Sequence, residues 1–417
     1  MIRNAFVTAA VLSWSVALVW AQLGGSVLEP EHPAIHYFGP STDRVAQLNG
    51  TLQSGGARFE FERRTGYLKS LLAALDVPVD SQVALFSGTS LQARLINAHN
   101  PRTIFFNDSI AVGWMAGGAI EVASLDPRQG AIFYLLPQTP APAPQLSRET
   151  RCLQCHYSTA TLGVPGFLVR SIPSSPDGMI MPWLGNYTTD HRSPLAERWA
   201  GWYVTGSGAR HLGNAPVTDR SAQDVRVEDR NLRVTTLADR FDTGSYLSPH
   251  SDIAALLVFD HQMRMMNLLT RLGWETRLLE YEGRAASSAL NDAVSEVADY
   301  MLFVDEATLE HVRGTSGFAE RFSALGPRDR RGRSLRELDL ERRLFRYPCS
   351  YMIYSDAFAA LPGAARDAVY QRLWQILSGR DSSPRYARLS APDRLAIVEI
   401  LRDTMKDLPS VFSSHPS

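Results

Sequence analysis

Apolar and charged residues alternate with period two at Arg58-Phe59-Glu60-Phe61-Glu62, and in part at Ala119-Ile120-Glu121-Val122. Successive side chains of an extended chain point to opposite faces, so this spacing predicts half-buried strands. Thr103-Ile104-Phe105-Phe106 and Ala131-Ile132-Phe133-Tyr134-Leu135-Leu136 are unbroken apolar runs, which predict strands covered on both faces. Asn107-Asp108, Gly117-Gly118 and Asp126-Pro127 punctuate them as turns. Within this stretch only 66–75 carries a helix-like pattern. Residues 22–136 therefore read as a β-rich domain.

A stiff proline-rich linker, PQTPAPAP, fills 137–144. From 163 to 249 glycine, proline, aspartate and aromatics dominate, which excludes long helices and makes 137–250 an irregular middle. The period then changes. Ile253, Leu256, Leu257, Met263, Met266 and Leu269 follow helical spacing, with Ser248 placed as N-cap and Pro249 as first helical residue. Amphipathic segments follow at 287–304, 335–346, 364–378 and 391–405, and Ser390 with Asp393 marks the last start. Residues 251–417 read as helical. The fold class is α+β: a β-rich N-terminal part, an irregular middle and an α-helical C-terminal part.

The N-terminus has its own pattern. Arg3 precedes an apolar run from Ala5 to Trp20, broken only by Thr8, Ser13 and Ser15, and Val19-Trp20-Ala21 offers small residues where a signal peptidase reads. This predicts a signal peptide over 1–21, cleaved after Ala21, and a protein that is periplasmic or otherwise exported from a bacterium. The other reading is an uncleaved anchor, but the run is short for a span of roughly 20 residues. No later stretch is long and apolar enough to cross a bilayer, so no transmembrane span is expected in the mature chain.

The chain has 417 residues, 45% hydrophobic and 20% charged, with a formal net charge of -1. That allows two or three domains with cores, and supplies no global field for nucleic acid or anionic lipid. Lys69 and Lys406 are the only lysines, which leaves few homes for lysine chemistry. The cysteines are Cys152, Cys155 and Cys349, an odd count that cannot pair completely.

Two of them lie in Cys152-Leu153-Gln154-Cys155-His156. In an exported chain, Cys-x-x-Cys-His suits covalent haem attachment. Two intervening residues space the thiols to the two vinyl groups of a porphyrin, and the adjacent imidazole falls beneath the iron. The motif resembles that of the c-type cytochromes. The resemblance implies one covalent haem c, with Cys152, Cys155 and His156 binding the cofactor, His156 axial to the iron, and a redox partner protein. The chain is also similar to a group of exported bacterial proteins known by their cytochrome c motif, through Thr189-Asp190-His191-Arg192-Ser193-Pro194 and Tyr347-Pro348-Cys349-Ser350-Tyr351. It departs from the small cytochromes in one respect. Proline-rich chain stands where they have a helix leading into the motif, so their usual fold is not implied for the haem region. Two other readings of the cysteines stay open: a local Cys152-Cys155 disulfide, and a zinc site needing two more ligands.

Function turns on the sixth iron position. A methionine or histidine there closes the site for electron transfer, and an open position suits a haem enzyme or sensor. Met181, in Met-Pro, and His191 and His250 are the candidates, with His211 also in the irregular region. His250 is placed in the first turn of the long helix, about 16 Å from His261 on one face. Cys349, in YPCSYMIY, reads as a buried thiol. Eight arginines against four acids over 328–346 read as a solvated helix face, or as a docking patch for an acidic redox partner. No phosphate loop, Gly-x-Ser-x-Gly or His-Glu-x-x-His occurs. The expectation is an exported monohaem electron carrier. The alternatives are a haem enzyme or sensor with an open iron, and a non-haem interaction protein.

Overall fold

The computed structural model describes residues 27–413 except 209 and 285–288. The expected signal peptide over 1–21 lies outside the described residues. The strands are β1 (Val83–Leu85), β2 (Arg102–Phe106), β3 (Ile110–Trp114), β4 (Ile120–Asp126), β5 (Gly130–Leu136), β6 (Ser147–Arg148), β7 (Arg170–Ser171), β8 (Tyr187–Thr188) and β9 (Trp202–Tyr203). The helices are α1 (Arg44–Gln53), α2 (Leu68–Ala74), α3 (Leu153–His156), α4 (Ile253–Tyr281), α5 (Ala289–Met301), α6 (Phe318–Ala324), α7 (Asp356–Ala359), α8 (Gly363–Leu377) and α9 (Ala391–Thr404).

Seven strands form one antiparallel sheet in the order β6-β5-β4-β3-β2-β1-β9, while β7 and β8 pair separately. β2 to β5 are a meander joined by short turns. The register sets Ala111 opposite Ala123, Ala123 opposite Phe133, and Glu121 opposite both Gly113 and Leu135. The sheet is covered on both faces, which explains the unbroken apolar runs. One face (Ile110, Val112, Ile120, Val122, Ile132) packs with Val45 and Leu48 of α1 and with Leu68, Leu71 and Leu72 of α2. The other (Phe106, Leu125, Ala131, Phe133) packs with Phe259, Met263 and Met266 of α4. Each large apolar side chain buried in this way contributes about 1.5–3 kcal/mol.

The α+β architecture agrees with the sequence pattern: an N-terminal antiparallel sheet, an irregular middle and a helical C-terminal part. The middle nonetheless supplies both edges of the sheet, β6 and β9. Three local expectations are corrected. Residues 58–61 form no strand, and Glu62 only bridges Gly66. The helix α1 was not legible as one; Asp43 caps it, accepting from the Val45 and Ala46 N–H groups. Residues 335–346 are not helical, because their arginines pair with acids distant in sequence. Arg336 binds Asp108, Arg343 binds Asp393 at 2.8 Å, and just upstream Arg330 binds Asp403 at 2.6 Å. This makes 328–346 a ribbon of ion pairs that ties α9 and the β2–β3 turn to one segment.

The helix α4 is the axis of the C-terminal half. With 29 residues at 1.5 Å each it runs about 43 Å, and its first four turns are buried on almost every side. Its N-cap is Asp252, not Ser248, so Pro249 and His250 lie outside the helix. Among the described residues no helix is long and apolar enough to cross a membrane.

Candidate functional site

After β6 the chain tightens into a 3₁₀ turn at Thr150–Cys152 and then into α3. Glu149 starts the turn: its carboxylate accepts the Arg151 N–H and guanidinium at 2.9 Å. Helical spacing then sets Cys152 and His156, four apart, on one side, with Cys155 beside them. Cys152 is half-buried against the core, Cys155 is exposed, and both are free thiols. Burial pushes the Cys152 thiol up to about 12.

The chain leaves His156 and doubles back. Leu162 (φ 65°) and Gly163 (φ 71°) take left-handed conformations, and this return brings Gly166 against the imidazole. Gly166 donates its N–H to the His156 carbonyl at 2.9 Å, and its own carbonyl lies 2.9 Å from His156 Nδ1. A carbonyl only accepts, so Nδ1 carries the proton and Nε2 keeps a lone pair. Burial holds the imidazole below its ordinary range, which keeps it neutral. The ring rests on Phe133 of β5, centroids 4.8 Å apart. Among the described residues nothing hydrogen-bonds Nε2.

On the same sheet face Arg102 crosses Gly113 to reach Glu121 at 2.7 Å. Ser90 and Gln92 donate to Glu121 at 2.7 and 3.0 Å. Burial would raise the Glu121 carboxyl, but Arg102 and these donors hold it below the usual carboxylate range.

Two free thiols and a neutral imidazole with an available Nε2 are the donor set a covalently attached haem requires. Among the described residues no three His, Cys, Asp or Glu side chains gather to hold a metal ion, so no zinc ligand set forms around the thiols. Cys349 is buried, its thiol pushed up to about 12.

None of the sixth-ligand candidates hydrogen-bonds or stacks on His156. Met181 is fully buried at the start of the turn Pro182–Leu184. His250 precedes α4, so the shared helix face with His261 does not arise; its Nδ1 is buried without a hydrogen-bond partner among the described residues. His211 accepts from the Gly213 N–H at 3.0 Å, and burial lowers it to about 4. His191 faces His261 instead, Nδ1 to Nδ1 at 2.8 Å.

That pairing of residues 70 positions apart was invisible in the sequence. Both rings are buried and stack with Tyr300 and Phe303, and His261 Nε2 meets Ser350 Oγ at 2.7 Å. Next to His261, Asp260 binds Arg198 at 3.3 Å and accepts the Trp199 indole N–H at 3.1 Å. Burial drives His191 well below its ordinary value and His261 to about 3. Two Nδ1 atoms at hydrogen-bond distance hold one proton between them, so the pair is neutral, and His191 Nε2 is buried with no hydrogen-bond partner among the described residues. Gly166, the partner that gives His156 its tautomer, was also missed; its only signal was a glycine-rich loop ten residues after the motif.

Compared with protein-family models, with curated proteins and with solved structures, the chain matches none. The residues and their geometry therefore carry the functional argument.

Proposed function

We propose that this chain is an exported, monohaem c-type cytochrome-like protein that carries electrons for a redox partner in the periplasm. The observation that carries the reading is the His156 Nδ1 to Gly166 carbonyl contact at 2.9 Å, which leaves Nε2 as the iron-binding atom. Cys152 and Cys155 would hold the porphyrin by thioether bonds, and His156 would supply the axial nitrogen. The haem iron would cycle between its ferric and ferrous states. The protein's own contribution is to fix the imidazole. Gly166 sets its tautomer, the ring packs at a tilt on Phe133, and the sheet face bearing Arg102 and Glu121 supplies a paired, nearly neutral charge environment.

The test is the absorption spectrum of the protein made in a host with haem-attachment machinery, in alkaline pyridine and under carbon monoxide. One haem per chain with the c-type band, and no prompt carbon monoxide binding, is the expected result. Prompt binding would replace electron transfer by an open-iron enzyme or sensor. No haem at all would favour the local Cys152-Cys155 disulfide and a non-haem interaction protein.

A further inference from the structure

The peptide that holds the His156 imidazole is itself held from outside the motif. Asn267 lies in the buried middle of α4 and is 2% exposed. Its Oδ1 accepts the Phe167 N–H at 2.8 Å, and its Nδ2 donates to the Phe167 carbonyl at 2.7 Å. The amide thus closes a two-bond clamp on the residue next to Gly166. The loop packs directly on this amide: a Cβ on Gly166 would stand 2.4 Å from Asn267 Oδ1. The other end of the loop is tied to the sheet, where the Ala131 N–H donates to the Pro165 carbonyl at 3.0 Å. Gly166 is suspended between these two anchors, one on β5 and one on α4.

We propose that Asn267 is the positioning residue for the axial histidine. By locking the Phe167 peptide it fixes where the Gly166 carbonyl points, and through that carbonyl the tautomer and orientation of His156. Removing the clamp leaves the Pro165 anchor and frees the Phe167 end, so the Gly166 peptide can rotate away from Nδ1. A neutral imidazole without this acceptor divides its proton between Nδ1 and Nε2. An axial imidazole whose N–H loses its acceptor also donates less to the iron, which favours the ferrous state. This second consequence rests on the haem reading above; the tautomer consequence does not.

The experiment compares the wild type with Asn267→Leu, Asn267→Asp and a control, Leu268→Ala, which opens the core beside Asn267 but keeps the Asn267 amide and its two bonds to Phe167. The first measurement is nitrogen NMR of His156 in the full chain made in a host lacking haem-attachment machinery. The wild type and Leu268→Ala should show Nδ1–H alone. Asn267→Leu should show a mixture with Nε2–H, and Asn267→Asp, which can accept but not donate, a smaller change. If Asn267→Leu does not fold, Asn267→Asp decides alone. The second measurement is the midpoint potential of the loaded protein. It should rise in Asn267→Leu by about tenfold in the equilibrium, which is 59 mV for one electron, and stay put in Leu268→Ala. An unchanged His156 tautomer in the Asn267 variants, or an equal change in Leu268→Ala, would overturn the proposal. A wild type that takes up no haem would overturn the functional reading, while the NMR comparison still decides the role of Asn267.

Discussion

Glu306 accepts the Leu344 N–H at 2.7 Å and is almost wholly buried. Burial pushes its carboxyl up to about 7, against that N–H and the guanidiniums of Arg388 and Arg343. In the unfolded chain a glutamate ionises near about 4.3. The stability this group provides is therefore complete below that pH and is lost as pH rises to about 7. Glu306→Gln has no charge to bury. Relative to the wild type its stability should rise across this window by up to about 1.4 kcal/mol per pH unit and level off above it. Denaturant unfolding at the two ends of the window measures the difference; one that does not vary with pH would mean Glu306 ionises normally in the fold. At this scale the sequence was most informative where chemistry depends on neighbours. Cys152, Cys155 and His156 sit within five residues, so their geometry follows from helical spacing alone. Gly166, Asn267 and the His191–His261 pair acquire their roles through contacts made after the chain has folded back, and no local pattern marks them.

Helix boundaries show the same division. Ser248-Pro249 is a sound local start signal, yet α4 begins at Ile253. Asp252 prevails because its carboxylate serves more than the cap. It accepts the Ala254 N–H at 2.8 Å, the Thr315 and Ser316 N–H groups at 2.9 and 2.7 Å, and the Ser316 hydroxyl at 2.8 Å. Asp252→Ala should therefore cost about 2–4 kcal/mol, more than an isolated cap. Asp252→Asn, which keeps the capping oxygen, should lose less. Thermal unfolding of the two variants checks the order; an Asp252→Asn variant as stable as the wild type would remove the link to 315–316, because its amide nitrogen cannot accept there. The long apolar periods of α4, α8 and α9 were legible because a buried helix face repeats over several turns. Residues 335–346 misled because an arginine-rich helix and an arginine-rich ribbon share a composition, and only the distant acids tell them apart. The short charged alternation at 58–62 misled because no neighbouring strand pairs with it.

At the scale of the whole molecule, the sheet and α4 converge on the thiol and imidazole donors. β5 supplies Phe133 beneath the His156 ring and the Ala131 anchor, α4 supplies the Asn267 clamp, and β2 and β4 supply the Arg102–Glu121 pair. The strand β5 and the helix α4, more than a hundred residues apart in sequence, thus both contact the motif or the loop that follows it. No helix leads into the motif from the proline-rich linker; β6 and the 3₁₀ turn stand there instead. The arginine-rich segment serves cohesion: Arg330, Arg331 and Arg333 reach Asp403 and Glu399 on α9. In the proposed function Cys152 and Cys155 bond a porphyrin whose iron His156 holds. The intact mass of the mature polypeptide from a host with haem-attachment machinery tests it most directly, beside a Cys152→Ser/Cys155→Ser double variant. A gain of one haem that survives denaturation is expected in the wild type and should be absent from the double variant. A wild-type mass equal to that of the bare polypeptide would contradict it.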